Sequence, residues 1–157
     1  MELKDPRSIR DVIADQSGLS RQVLEYCLVT KRLVDEAKRP GFSADSLAAL
    51  AEFAAVDEFE RVGNFKEVMT WAQYVAFLAG WMPSADWDCS FRRITEVSNL
   101  VFLELEEFAG AGDARRAVNS ASIYEFDDAG KIRHLDVYLQ MPMPSELMPS
   151  GYAREAS

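Results

Sequence analysis

From Trp87 to Gln140 the chain stops repeating at helical spacing and begins to alternate. Strict alternation of apolar and polar residues suits one regular structure, a strand with one buried face. Trp87, Cys89, Phe91, Thr95 and Val97 share one parity, and Asp88, Ser90, Arg92 and Glu96 share the other. Leu100 to Phe108 repeats the pattern, with Val101, Leu103 and Leu105 opposed to Glu104 and Glu106. The turn "AGAGD" separates it from a strand over Arg116 to Phe126, and a further strand covers Lys131 to Gln140. Gly130, in "EFDDAGKIRHLDVYLQ", fits the left-handed position of a short hairpin loop. In the last strand Leu135, Val137, Leu139 and Met141 form the apolar parity. His134, Asp136, Tyr138 and Gln140 then face outward. On the strand before it Ser120, Ser122 and Tyr124 take the interior parity and Ile123 the outer one.

The first half reads as helices. Asp5-Pro6 offers a cap followed by proline at the first helical position, with Ile9, Val12 and Ile13 on one face. Gly18 stops that run. Ser20 caps the next helix, where Val23, Leu24, Cys27, Leu28 and Val34 recur at helical spacing until Pro40-Gly41. Ser43 caps a third helix carrying Leu47, Leu50, Ala51 and Ala54. Val56 to Val62 is strand-like and ends at Gly63-Asn64. Thr70 and Gln73 form a capping box, followed by Tyr74, Phe77, Leu78 and Trp81 on one helical stripe that Pro83 ends. A stripe at this spacing is what a core-facing helix needs. After Gln140 the prolines Pro142, Pro144 and Pro149 predict an extended tail. The reading is thus an arm over residues 1–18, one α+β domain over 19–141 and a tail over 142–157. Helices cover one face of a strongly curved antiparallel sheet, which leaves a pocket inside a cone.

Charge narrows the partners. Lys and Arg number 17 against 26 Asp and Glu, a net charge of −9. Phosphate binding needs a basic surface, so neither nucleic acid nor an anionic membrane is an expected partner. The N-terminus lacks the apolar segment of a signal peptide, and no apolar run approaches the ~20 residues that span a bilayer. Cys27 and Cys89 sit in apolar surroundings. A reduced, buried state for both points to the cytoplasm, although a disulfide between them stays open. One His and two distant Cys do not supply a zinc cluster, so no metal is expected.

The stretches "FERVGNF" and "IYEFDDAGKIRHLDVYLQ", with the order of elements from about Ser20 to Gln140, resemble the nuclear transport factor 2-like superfamily. The resemblance is to its SnoaL-like and ketosteroid-isomerase-like branches. That superfamily includes polyketide cyclases, steroid isomerases, epoxide hydrolases and non-catalytic binders, and many members dimerise through the sheet. The resemblance therefore implies a homodimer, a pocket for a small apolar molecule and no cofactor.

Site residues carry over position by position. The cyclases place a catalytic Asp seven residues after the hairpin glycine, which here is Val137, and Asp136 falls one short. A bulge would turn Asp136 inward; without one it belongs to the sheet surface. The isomerases' acidic donor on the preceding strand corresponds to Ser122. The epoxide hydrolases' Arg-x-Asp corresponds to Ser120 and Ser122. The isomerase helix tyrosine aligns with Thr30, with Tyr26 one turn away. One acid matches: the isomerase base precedes "x-V-G", and "ERVG" puts Glu60 there. The alternative is that Glu60 is a solvated strand residue paired with Arg61 or Arg93. Two functions follow. One is a cofactor-independent isomerase or cyclase with Glu60 as base and Asp136 as the second candidate. The other is a non-catalytic binding or dimerisation module. In either, the pocket would be lined by Tyr26, Thr30, Tyr74, Ser120, Ser122, Tyr124, Leu135 and Val137.

Overall fold

The structure is a computed structural model that describes residues 7–110 and 112–150. The Asp5-Pro6 cap and the end of the tail lie outside the described residues. The first described helix, α1 (Ile9–Val12), is capped instead by Ser8, which accepts from the Asp11 N–H at 3.2 Å. Helix α2 (Gly18–Glu36) follows and buries Val23, Leu24, Tyr26, Cys27, Leu33 and Val34. It starts before the expected cap Ser20, whose backbone N–H is bound by the Glu96 carboxylate at 2.8 Å. An acid at a helix start satisfies an orphan donor and complements the dipole. The Ser43-capped element is a 3-10 turn, Ala44–Leu47, running into the short α3 (Ala48–Ala51).

The expected strand over Val56 to Val62 shortens to β1 (Glu60–Val62), because the chain turns at Ala55 to Glu58. A strand the sequence reading missed, β2 (Val68–Thr70), pairs with β1 antiparallel. Helix α4 (Trp71–Trp81) has the Thr70/Gln73 capping box. Three long strands and a shorter one follow: β3 (Asp88–Val97), β4 (Leu100–Ala109), β5 (Arg116–Phe126) and β6 (Ile132–Gln140). The sheet order is β2-β1-β6-β5-β4-β3. It is a mixed sheet rather than an antiparallel one, since β1 runs parallel to β6. Before the tail ends, Ser145–Leu147 forms one 3-10 turn.

Two register shifts bend the sheet, one between Phe91 and Arg93 and one between Glu125 and Phe126. The first corrects the parity expected on β3. The extra residue makes Ile94 face the core opposite Leu103, so Thr95 and Val97 turn to solvent. At the other bend Gly130 holds φ +74°, a left-handed value that a Cβ disfavours. The helices pack on the concave face over a core containing Leu24, Leu50, Met82, Val101, Phe126 and Ile132. Lys38 fixes the end of α2 against the turn after α4. Its Nζ donates to the carbonyls of Val34 at 2.7 Å and Met82 at 2.9 Å, and to that of Ala85. No described helix is long and apolar enough to cross a membrane.

Candidate functional site

Between α2, α4 and the concave face lies a cavity of about 220 Å³. The sheet supplies Leu135, Val137 and Leu139 from β6, Ser122 and Tyr124 from β5, and Leu105 and Glu107 from β4. The helices supply Tyr26 and Thr30 from α2, and Tyr74, Phe77, Leu78 and Trp81 from α4. The aromatic stripe on α4 thus lines the cavity as well as the core. A larger hollow, about 340 Å³, lies on the outer face among Arg92, Glu104, Asn119 and Tyr138. Its wall is charged and solvated. The inner cavity is the better site because its few polar groups converge among apolar walls.

The tyrosines meet there. Their hydroxyls lie 3.0 Å apart, and Tyr26 and Tyr74 are both buried. Phe59 stacks on Tyr74 at 5.7 Å, and Phe53 meets Tyr26 edge-on at 5.8 Å, which holds both rings. Burial raises the pKa of Tyr26 well above the usual tyrosine range, with the neighbouring Tyr74 adding to it, and burial likewise raises Tyr74. Both are therefore neutral. One hydroxyl donates to the other, and the accepting hydroxyl keeps its own proton to donate to a bound oxygen. Cys27 is free and buried, with its pKa raised by burial; Cys89 is free and pushed up to about 12 mainly by burial. Neither is a ready nucleophile.

Several expected site residues fall elsewhere. Glu60 does not reach the cavity. Strand β1 pairs with β6 so that Arg61 lies opposite Leu135, and Leu135 is a buried inward residue. Arg61 must then face in and Glu60 out. Glu60 Oε1 lies 3.4 Å from His134 Nδ1 on the outer face, with 54% of its side chain exposed, and pairs with neither Arg61 nor Arg93. Asp136 lies on that face too, 3.0 Å from His134 Nε2. A bulge does lie between Gly130 and Asp136, with Arg133 the extra residue on β6, but it brings Ile132 to the buried face with Leu135 and leaves Asp136 on the outer one. Ser120 is buried outside the cavity, and its Oγ has no hydrogen-bond partner among the described residues. Thr30 lines the cavity, but its hydroxyl donates to the Tyr26 carbonyl at 2.9 Å. Ser122, Tyr124, Leu135 and Val137 are in the wall.

Two charged wall residues escaped the sequence reading, as did apolar ones such as Leu105 and Leu139. Among the described residues Glu107 is the single carboxylate of the wall, and its Oε2 accepts from Trp87 Nε1 at 2.7 Å. Arg61 is the single cation among the described wall residues. For Glu107 a signal existed: it shares the apolar parity of Val101, Leu103 and Leu105. Among the described residues, no three His, Cys, Asp or Glu side chains are grouped to hold a metal ion.

No family model matches the chain, and no curated protein matches it in sequence. Solved structures do. A steroid Δ-isomerase from Pseudomonas aeruginosa superposes with a TM-score of 0.55 at 16% identity, over 82% of each chain. An NTF2-like protein of unknown function from Cytophaga hutchinsonii gives 0.56 at 16% identity, over 80% of this chain and 92% of its own. The chain has the NTF2-like fold. Also similar to it is a protein from Jannaschia sp. CCS1 assigned as a SnoaL-like polyketide cyclase, at 0.53 and 16% identity, over 79% of this chain and 89% of its own. In NTF2-like terms the cavity described above is the space under the helical lid of the cone.

Proposed function

We propose that the protein binds a small lipophilic molecule in this cavity. The observation that carries the reading is the hydroxyl pair of Tyr26 and Tyr74, buried in a wall that is otherwise mostly apolar. A cavity of 150 Å³ is enough for benzene, so about 220 Å³ suits a somewhat larger molecule. Val137→Trp puts an indole into that space. Titration of the tyrosine and tryptophan resonances with 3-phenylpropanol should show binding to the parent chain. The variant should bind at least tenfold more weakly while its far-ultraviolet spectrum is unchanged. Equal affinity in the two proteins would remove the cavity as the site.

A second reading is a cofactor-independent isomerase or cyclase. It is favoured by Glu107, a carboxylate sharing one cavity with neutral tyrosine donors. A base beside a donor to developing negative charge is the equipment for moving a proton at carbon. Glu107 takes the role first assigned to Glu60.

The outer face supports a homodimer. Tyr138 is 58% exposed there, and Ile123 stands beside it, partly buried. Light scattering at micromolar concentration should give twice the chain mass, and Tyr138→Glu should halve it. A monomer mass for the parent chain would sink this arrangement.

A further inference from the structure

We infer that the ligand is a small apolar carboxylate whose anionic end is held by Arg61, an inference that rests on the binding reading above. Arg61 is an odd residue for this wall. Its side chain is 13% exposed, and its Cζ lies 5.3 Å from the Tyr74 ring centre and 5.8 Å from that of Phe77. The cation is thus stacked among aromatic faces, which stabilise it without satisfying its N–H groups. Nη1 is buried and has no hydrogen-bond partner among the described residues. Among the described residues the one carboxylate paired with it is that of Glu67, whose Oε1 lies 3.5 Å from Nη1 and outside hydrogen-bond geometry. Glu67 spends its other oxygen on the Phe65 N–H at 2.9 Å and stays 39% exposed. A largely buried guanidinium with one buried nitrogen unmatched is costly, and a planar carboxylate is the group that matches its fork.

Size and charge narrow the class. Scaling from benzene in 150 Å³, a cavity of about 220 Å³ holds about nine non-hydrogen atoms. That fits a single-ring aryl acid or a medium-chain fatty acid, with the carboxylate at the rim beside partly exposed Phe77. A dianionic phosphate is a poor match to one arginine on a chain of net charge −9. Glu107 does not oppose the acid. It stands on β4, three strands from β1 in the sheet order, and its Oε2 is engaged by Trp87 Nε1 at 2.7 Å. The acid's apolar end points toward it and its charge points away.

Calorimetric titration at pH 7 with 3-phenylpropionate and its neutral counterpart 3-phenylpropionamide tests this. The parent chain should bind the acid at least tenfold more tightly than the amide. Arg61→Met should bring the acid down to the level of the amide and change the amide less than twofold. Glu67→Gln, at a more exposed position, removes the competing carboxylate and should tighten the acid two- to fivefold with the amide unchanged. Val137→Trp should weaken both. Equal binding of acid and amide by the parent chain overturns the inference and leaves the cavity reading standing. Failure of acid, amide and 3-phenylpropanol alike overturns both. Should Arg61→Met fail to fold, the acid-to-amide ratio and the Glu67→Gln response decide. An acid that ignores Glu67→Gln in that case counts against Arg61.

Discussion

Replacing Phe126 by alanine is expected to lower the unfolding free energy by about 3–5 kcal/mol, the usual cost of a truncated core phenylalanine. Phe126 is 2% exposed and sits opposite Ile132, also 2% exposed, at the closed end of the β5–β6 hairpin. Its backbone is held on both sides by Asn99: its N–H donates to the Asn99 carbonyl at 2.9 Å, and its carbonyl accepts from Asn99 Nδ2 at 3.0 Å. With the strand pinned there, the surrounding atoms have little freedom to collapse into the space left by the ring. A cavity that stays open adds its own cost to the lost transfer energy. A domain of this size is stable by about 5–15 kcal/mol, so the loss takes from about a fifth to all of that. Urea denaturation should show a lower midpoint with an unchanged slope. Val97→Ala, at a position 56% exposed, should stay within about 0.5 kcal/mol of the parent. A Phe126→Ala loss below about 1 kcal/mol would mean that this end of the core is not packed as described.

The second large effect concerns the proton-transfer reading. Glu107→Gln should lower the rate of solvent deuterium exchange into small apolar ketones by a factor of about 10²–10⁴, the range for losing a general base. Glutamine keeps the size and can still accept from Trp87 Nε1, so the wall is preserved and the basicity is lost. Tyr74→Phe should slow the same exchange by removing one hydroxyl of the donor pair. Glu60→Gln is the decisive control. Its carboxylate lies on the outer face against His134, so exchange should be unchanged. A loss with Glu60→Gln and none with Glu107→Gln would reverse the assignment made here. A parent chain that binds the ketones and exchanges nothing would leave the binding reading alone in place.

Most of the architecture could be read from the residues, and the reason is local. Alternation over ten or eleven residues decides which face of β4 and β5 is buried, and the same holds for β6 from His134 onward. The Thr70/Gln73 box marks the start of α4 because its hydrogen bonds close within four residues. Gly130 marks its turn because the required φ is positive at that one residue. The same alternation placed Ser122, Leu135 and Val137 in the cavity wall, and it would have placed Glu107 there had an acid on an apolar parity been given weight.

What the residues alone did not decide are the features set by distant partners. A three-residue strand carries too little alternation to tell in from out. Only the parallel pairing of β1 with β6, which puts Arg61 against Leu135, sends the arginine inward and Glu60 outward. The extra residue near Arg92 likewise leaves no mark in composition, yet it rephases the end of β3 and bends the sheet. The cavity lies between elements distant in the chain: Lys38 ties the end of α2 to the turn after α4, and the sheet beneath them carries two register shifts. Side-chain period is a property of neighbours in the chain; the direction of one arginine, and the space it faces, depends on contacts between residues far apart in it.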